Sequence, residues 1–276
     1  MRPSYNNHAG KSTITGARGG YKSGRNKVNF RPCNKVSPEQ WSRKHSFSTD
    51  RVGGLYLAAA AFYDLEGTLV STNLVHTLGF YARNQQGILR SIKKSATTLV
   101  SIPLFAVADS YSRMVFNDIF FRRYKGESED RLRFFAEDLF ENVLKPAVFP
   151  GAKELIQKSR SLGLRQVVVT GALDFSVDPL MRYLGVDDFV ANRLEFVNGV
   201  ATGRLLPPVL ASATKASWIR TYAEREGINL SESYAYSDSM SDLPMLSIVG
   251  HPAAVNPDMR LKQTAIHHDW PILNLK

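Results

Sequence analysis

The sequence predicts an α/β protein: a mainly parallel sheet with right-handed crossovers, interrupted after its first strand by a helical insert. Three observations carry this reading. Ala58-Ala59-Ala60-Ala61-Phe62-Tyr63 is an apolar run closed by Asp64-Leu65-Glu66-Gly67-Thr68. That is the pattern of a strand buried on both faces, which leaves the sheet at a glycine turn. From Pro150 onward, strand-like and helix-like runs alternate, as parallel sheets require. Between the two, Val70 to about Pro150 has helical spacing. A chain of 276 residues has room for one large domain, or a domain with a smaller insert.

Taken in order, residues 1–38 contain no Asp or Glu and many Ser, Thr, Gly and Asn. Such a composition does not bury enough apolar surface to order itself. It is also the composition of an organelle transit peptide, and no apolar stretch of the secretory kind accompanies it. Residues 1–50 are therefore expected to be a disordered basic segment, a plastid or mitochondrial presequence with its linker. They hold ten basic and two acidic residues, so most of the net charge of +10 lies there. The rest of the chain is nearly balanced and shows no basic stripe with interleaved aromatics, which argues against nucleic-acid binding. Cys33 is the only cysteine, so neither an internal disulfide nor a cysteine zinc site is available.

Within the insert, Ser95 to Ala108 is uncharged, mostly apolar and interrupted by Pro103. At about 21 Å it is too short for the roughly 30 Å hydrocarbon core, so a buried helix is expected, with lipid contact as the alternative. Leu132, Phe135, Ala136, Leu139, Phe140 and Val143 recur at three- and four-residue spacing and predict an amphipathic helix behind the acidic Glu127-Ser128-Glu129-Asp130. Beyond Pro150 the expected elements are a helix over 151–162, a strand over 164–170 and a helix over 175–184. A hairpin follows around Asn198-Gly199, then a helix over 214–226 and a strand over 233–237. Short strands near 252–255 and 271–273 flank a last helix.

Strand ends then carry Asp64 with Glu66, Thr170, and Asp238 with Asp242, while Lys215 opens the intervening helix. If these strands are neighbours, several carboxylates meet at one sheet edge and repel one another unless a hard cation such as Mg²⁺ sits among them. A hydroxyl and an ammonium beside that cluster suit a phosphate. One carboxylate could then attack phosphorus while another protonates the leaving oxygen.

Asp64-Leu65-Glu66-Gly67-Thr68, Val167-Val168-Val169-Thr170, Lys215 and Asp238-Ser239-Met240-Ser241-Asp242 resemble, in order, the four motifs of the haloacid dehalogenase-like (HAD) superfamily. The insert and Ala235-Tyr236-Ser237-Asp238 resemble its subfamily IB, the phosphoserine phosphatase-like hydrolases. The resemblance implies a Rossmann-like core over 51–72 and 150–276, and a helical cap over 73–149. It implies a Mg²⁺-dependent phosphatase acting on a small phosphate monoester through an aspartyl-phosphate. Asp64 would be nucleophile and metal ligand, the backbone carbonyl of Glu66 a second ligand and Asp238 a third, with Asp242 completing or orienting the shell. Thr170 would hold the phosphate, and Lys215 would neutralise it.

The chain departs from that pattern in three places. Glu66 stands where the phosphatases usually carry aspartate as acid/base, which adds a methylene to the reach. Asn73 replaces the glutamate that would pair with an ammonium of phosphoserine, so another ester is expected. Ser237 replaces a glycine, a small-for-small change. Among cap residues, Arg122, Arg123 and Arg131 either read a second anionic group or form a solvated basic patch. His76, His251, His267 and His268 have no metal-ligand spacing, and Gly16, Gly19 and Gly20 follow no strand. Two alternatives remain: a weakly active or inactive domain that binds a phosphorylated ligand, and a lipid-associated phosphatase acting on a lysolipid or glycerol phosphate. The second arises because Ser95–Ala108 also resembles the HAD-like regions of some plant glycerol-phosphate acyltransferases, although no His-x4-Asp stretch is present. The sequence sets no oligomeric state.

Overall fold

The computed structural model describes residues 58–85 and 87–276. The expected presequence, its linker, Cys33 and the early glycines lie outside them.

The sheet has seven strands: β1 (Ala60–Tyr63), β2 (Arg165–Leu173), β3 (Asp188–Val197), β4 (Val200–Leu206), β5 (Tyr234–Ser237), β6 (His251–Val255) and β7 (Ile272–Leu273). Their order is β4-β3-β2-β1-β5-β6-β7, parallel throughout except for the β3–β4 hairpin. β1 is the central strand, pairing Phe62 with Val167 on one side and with Ala235 on the other. Its four side chains are fully buried because each face of the sheet is covered. Ala61 and Tyr63 point into the layer holding α6 (Ala152–Ser161) and α7 (Asp174–Leu184). Ala60 and Phe62 point the other way, against Ile219, Tyr222 and Ala223 of α8 (Ala213–Glu226) and Leu261 and Ala265 of α10 (Met259–His267). Between them in sequence lies the short α9 (Leu243–Leu246). A run without alternation is thus what a strand between two helical layers needs. The next strand in sequence lies to one side of β1 and β5 to the other. The crevice at their carboxyl ends is where an open α/β sheet receives ligands.

The insert forms α1 (Leu74–Arg83), α2 (Ile88–Tyr111), α3 (Arg113–Phe121), α4 (Glu129–Phe134) and α5 (Ala136–Leu139), ending in a π-type turn over Phe140–Leu144. Asn73 caps α1, its side-chain oxygen accepting from the N–H groups of Val75 and His76, while His76 accepts the N–H of Asn73. The single amphipathic helix expected over 132–143 is broken at Phe135. Leu132, Ala136, Leu139 and Phe140 still face the core. The wider turn brings Leu144 inward as well and leaves Val143 half-buried. The apolar segment 95–108 is helical as expected, within the 24-residue α2, but it is buried on one face only. Phe105 packs on Phe116 and Phe120 there, at centroid distances of 6.2 and 5.2 Å.

Candidate active site

The turn after β1 brings the acids to the sheet edge. The Asp64 N–H donates to the Tyr236 carbonyl at 2.9 Å, which extends the β1–β5 pairing by one residue and fixes where the carboxylate emerges. Gly67 follows with φ +83°, and a Cβ there would lie 2.1 Å from Oδ2 of Asp238. Only glycine satisfies both the left-handed backbone and that approach.

Lys215, in the first turn of α8, is buried between two carboxylates. Its Nζ donates to Asp64 Oδ1 at 2.6 Å and to Asp242 Oδ2 at 2.8 Å. Burial opposes its charge, yet Asp242 and Asp64 together hold it above the usual lysine range. Asp242 Oδ2 also accepts the Ser237 hydroxyl at 2.9 Å. The residue in the glycine position therefore orients a carboxylate of the site, a contact that a size comparison does not reveal. Asp258, the cap of α10, braces the same loop: it accepts the Met240 N–H at 2.9 Å and donates its own N–H to the Asp238 carbonyl at 2.7 Å.

On the far side of Asp64 the compensation is thinner. Thr68 offers one hydroxyl proton to both Asp64 Oδ2 and Asp238 Oδ1, each 3.3 Å away. Burial, then Asp64 and Asp242, push the Asp238 carboxyl up to about 7. Burial also raises the Asp64 carboxyl, with Lys215 offsetting part of the effect and Asp242 adding to it. The buried Asp64 and the half-buried Asp238, facing each other around one neutral donor, form an oxygen-rich, cation-poor corner that fits a hard divalent ion. Among the described residues no three His, Cys, Asp or Glu side chains converge on one point. The fit therefore rests on Asp64 and Asp238, with Asp242 turned to Lys215 and Ser237.

Glu66 enters the same cavity, and Thr170 donates to its Oε2 at 3.2 Å. Thr170 is fully buried, and its oxygen accepts the Ala172 N–H at 3.0 Å. In this structure the hydroxyl expected to hold phosphate is engaged with Glu66.

The cavity measures about 550 Å³. Beyond the charged cluster and Asp258 its wall is apolar or neutral: Leu74, Val75, Ile102, Phe105 and Phe116 are apolar members, and Ser71, Thr72, Asn73, Asn117 and Ser212 are among the polar ones. The Thr72 hydroxyl is buried and has no partner among the described residues. The three cap arginines line none of it. Arg122 pairs with Asp118 at 2.7 Å, Arg123 donates to Ser101, and Arg131 pairs with Glu127. The histidines also stay away: His76 completes the α1 cap, His251 stacks on Tyr234, and His268 stacks on Trp270.

Comparison with known proteins agrees with this geometry. The family of haloacid dehalogenase-like hydrolases matches residues 61–247. Phosphoserine phosphatase SerB1 of Mycobacterium tuberculosis is 31% identical over 235 residues, covering 83% of this chain and 74% of that one. Histidinol-phosphatase of Neisseria meningitidis is 26% identical over 224 residues, covering 78% of this chain and 98% of that one. The crystal structure of a phosphoserine phosphatase in apo form superposes with a TM-score of 0.58 at 20% identity, covering 79% of this chain and 94% of that one. The chain belongs to the haloacid dehalogenase-like hydrolases. It is an enzyme, and within that family a phosphatase with a phosphoserine phosphatase-like α/β fold.

Proposed function

We propose that the chain hydrolyses a small phosphate monoester with Mg²⁺, through an aspartyl-phosphate on Asp64, and that the leaving alcohol is uncharged. The observation that carries the chemistry is the buried Asp64, held through one oxygen by Lys215 at 2.6 Å while Glu66 opens into the same cavity. Lys215 fixes the carboxylate, one oxygen of which attacks phosphorus. The bond from phosphorus to the ester oxygen breaks as the new one forms, and protonated Glu66 gives its proton to the departing alkoxide. Glu66, now a carboxylate, takes a proton from the water that attacks phosphorus and frees Asp64 and inorganic phosphate. Thr170 positions Glu66 for both transfers. Mg²⁺, held by Asp64, Asp238 and the Glu66 carbonyl, would supply positive charge against the phosphate oxygens.

The neutral cavity wall supports the substrate class. A zwitterionic alcohol such as serine needs a carboxylate for its ammonium, and the wall outside the catalytic cluster carries only Asp258, whose two oxygens accept the backbone N–H groups of Met240 and Leu261. Asn73, at the family's glutamate position, uses its side-chain oxygen as a helix cap. A partly apolar wall with a Thr72 hydroxyl that has no partner among the described residues fits a neutral alcohol better.

Hydrolysis of p-nitrophenyl phosphate in Mg²⁺, abolished in Asp64→Asn, is the expected result; turnover that survives Asp64→Asn contradicts the mechanism. The substrate class fails separately if phosphoserine gives a higher kcat/KM than uncharged phospho-alcohols. Residues 1–38 we read as an organelle presequence, supported by their composition, and protein from its own cells that still begins near Met1 would contradict that.

A further inference from the structure

One face of α2 is apolar and open to solvent. Leu89, Ile92, Leu99, Val100, Leu104 and Val107 are all exposed, Leu89 to 86% and Val100 to 79%. At 100° per residue they cover about 140° of the helix, broader than the narrow seam of a coiled coil. Thr98, Ser101, Phe105 and Ala108 are the buried residues of the opposite face. Twenty-four residues make a rod of about 36 Å, so the stripe is a long, flat contact surface. No helix of the described residues is long and apolar enough to cross a membrane.

Charge runs with the stripe. Residues 67–108 contain no Asp or Glu and hold Arg83, Arg90, Lys93 and Lys94. Lys94 pairs with Glu127, whereas Arg90 and Lys93 are exposed and form no ion pair among the described residues. Both border a cavity of about 460 Å³ beside the first turns of α2, where Lys94 and Arg131 pair with the one lining carboxylate, Glu127. An apolar helix face with exposed cations at one end complements an anionic bilayer surface, where apolar side chains enter the interfacial layer and cations meet headgroups. A second copy of the chain complements it less well, because the facing α2 carries a single acid by sequence, Asp109, against Arg90, Lys93 and Lys94.

We propose that the exposed face of α2 docks the protein on an anionic phospholipid surface, with Arg90 and Lys93 at the headgroups. The docking is independent of the phosphatase chemistry. Its test is sedimentation of the full chain with phosphatidylcholine vesicles that contain phosphatidylglycerol, and with vesicles that lack it. The parent should pellet with the anionic vesicles only. The Leu89→Ser/Val100→Ser variant should bind them about tenfold more weakly or worse, with thermal unfolding and p-nitrophenyl phosphate hydrolysis unchanged. Arg90→Glu/Lys93→Glu should weaken binding and flatten its salt dependence. The basic residues 1–50 are common to all these chains, so equal binding by the parent and the Leu89/Val100 variant would place the attraction there and overturn the proposal. No binding by the parent would overturn it too. So would a parent dimer that the same variant converts to a monomer, because a second copy would then cover the face.

Discussion

The sheet edge after β1 and the outer face of α2 invert each other's chemistry. At the sheet edge, charged groups are buried: Asp64, Lys215 and Asp242 exclude solvent almost fully and satisfy one another. On α2, apolar groups are exposed while Thr98 and Ser101 of the same helix are buried. Burying charge without a partner costs several kcal/mol, so a buried ion cluster is held in one arrangement by its own penalties. Exposed apolar side chains carry no such geometric constraint, and their arrangement reports what they meet rather than what they hold. The first region therefore defines a reaction, and the second a surface.

The contrast sharpens into expected outcomes, the largest at the buried cluster. Lys215→Met leaves Asp64 and Asp242 facing each other without their shared cation. Stability should fall by about 3–5 kcal/mol in denaturant unfolding, and turnover should be lost with it. An unfolding midpoint equal to the parent's would mean that the cluster is not the closed ion network seen here. Glu66→Gln removes the proposed proton donor, and kcat on an alkyl phosphate should fall by about 10²–10⁴-fold. The effect should be smaller on p-nitrophenyl phosphate, whose leaving group needs less protonation; equal losses on the two substrates would remove Glu66 from the acid role. Thr170 acts through Glu66, so Thr170→Ser should keep most of the rate that Thr170→Val loses.

Smaller effects test what supports the cluster and the cap. Ser237→Gly restores the family's residue and deletes one hydrogen bond to Asp242, about 1 kcal/mol of stability, with activity retained. Asn73→Ala should cost about 1 kcal/mol through the lost cap of α1 and leave the substrate preference unchanged. A change in preference there would return Asn73 to the substrate site.

The cluster was legible in the sequence because each of its residues sits where secondary structure also needs it. Asp64 and Asp238 end strands, Gly67 makes a turn, and Lys215 opens a helix, so the local pattern and the chemistry coincide. Contacts that depend on two distant elements were not legible. The Thr68 proton shared with Asp238 and the Asp258 brace exist only once the carboxyl ends of β1, β5 and β6 lie side by side. Asn73 could have been read as a cap, since it precedes an apolar periodic run. The exposed side of α2 was hidden for a different reason. Both its faces carry apolar residues, so periodicity did not say which one faces the core.

The central claim is that phosphate passes through Asp64. Acid quenching of the enzyme during turnover of a ³²P-labelled monoester, followed by peptide mapping, tests it directly. The account predicts an acid-stable, hydroxylamine-labile label on the peptide that contains Asp64, absent from Asp64→Asn. Label on any other residue, or steady turnover with no trapped label in rapid-quench samples, would contradict it.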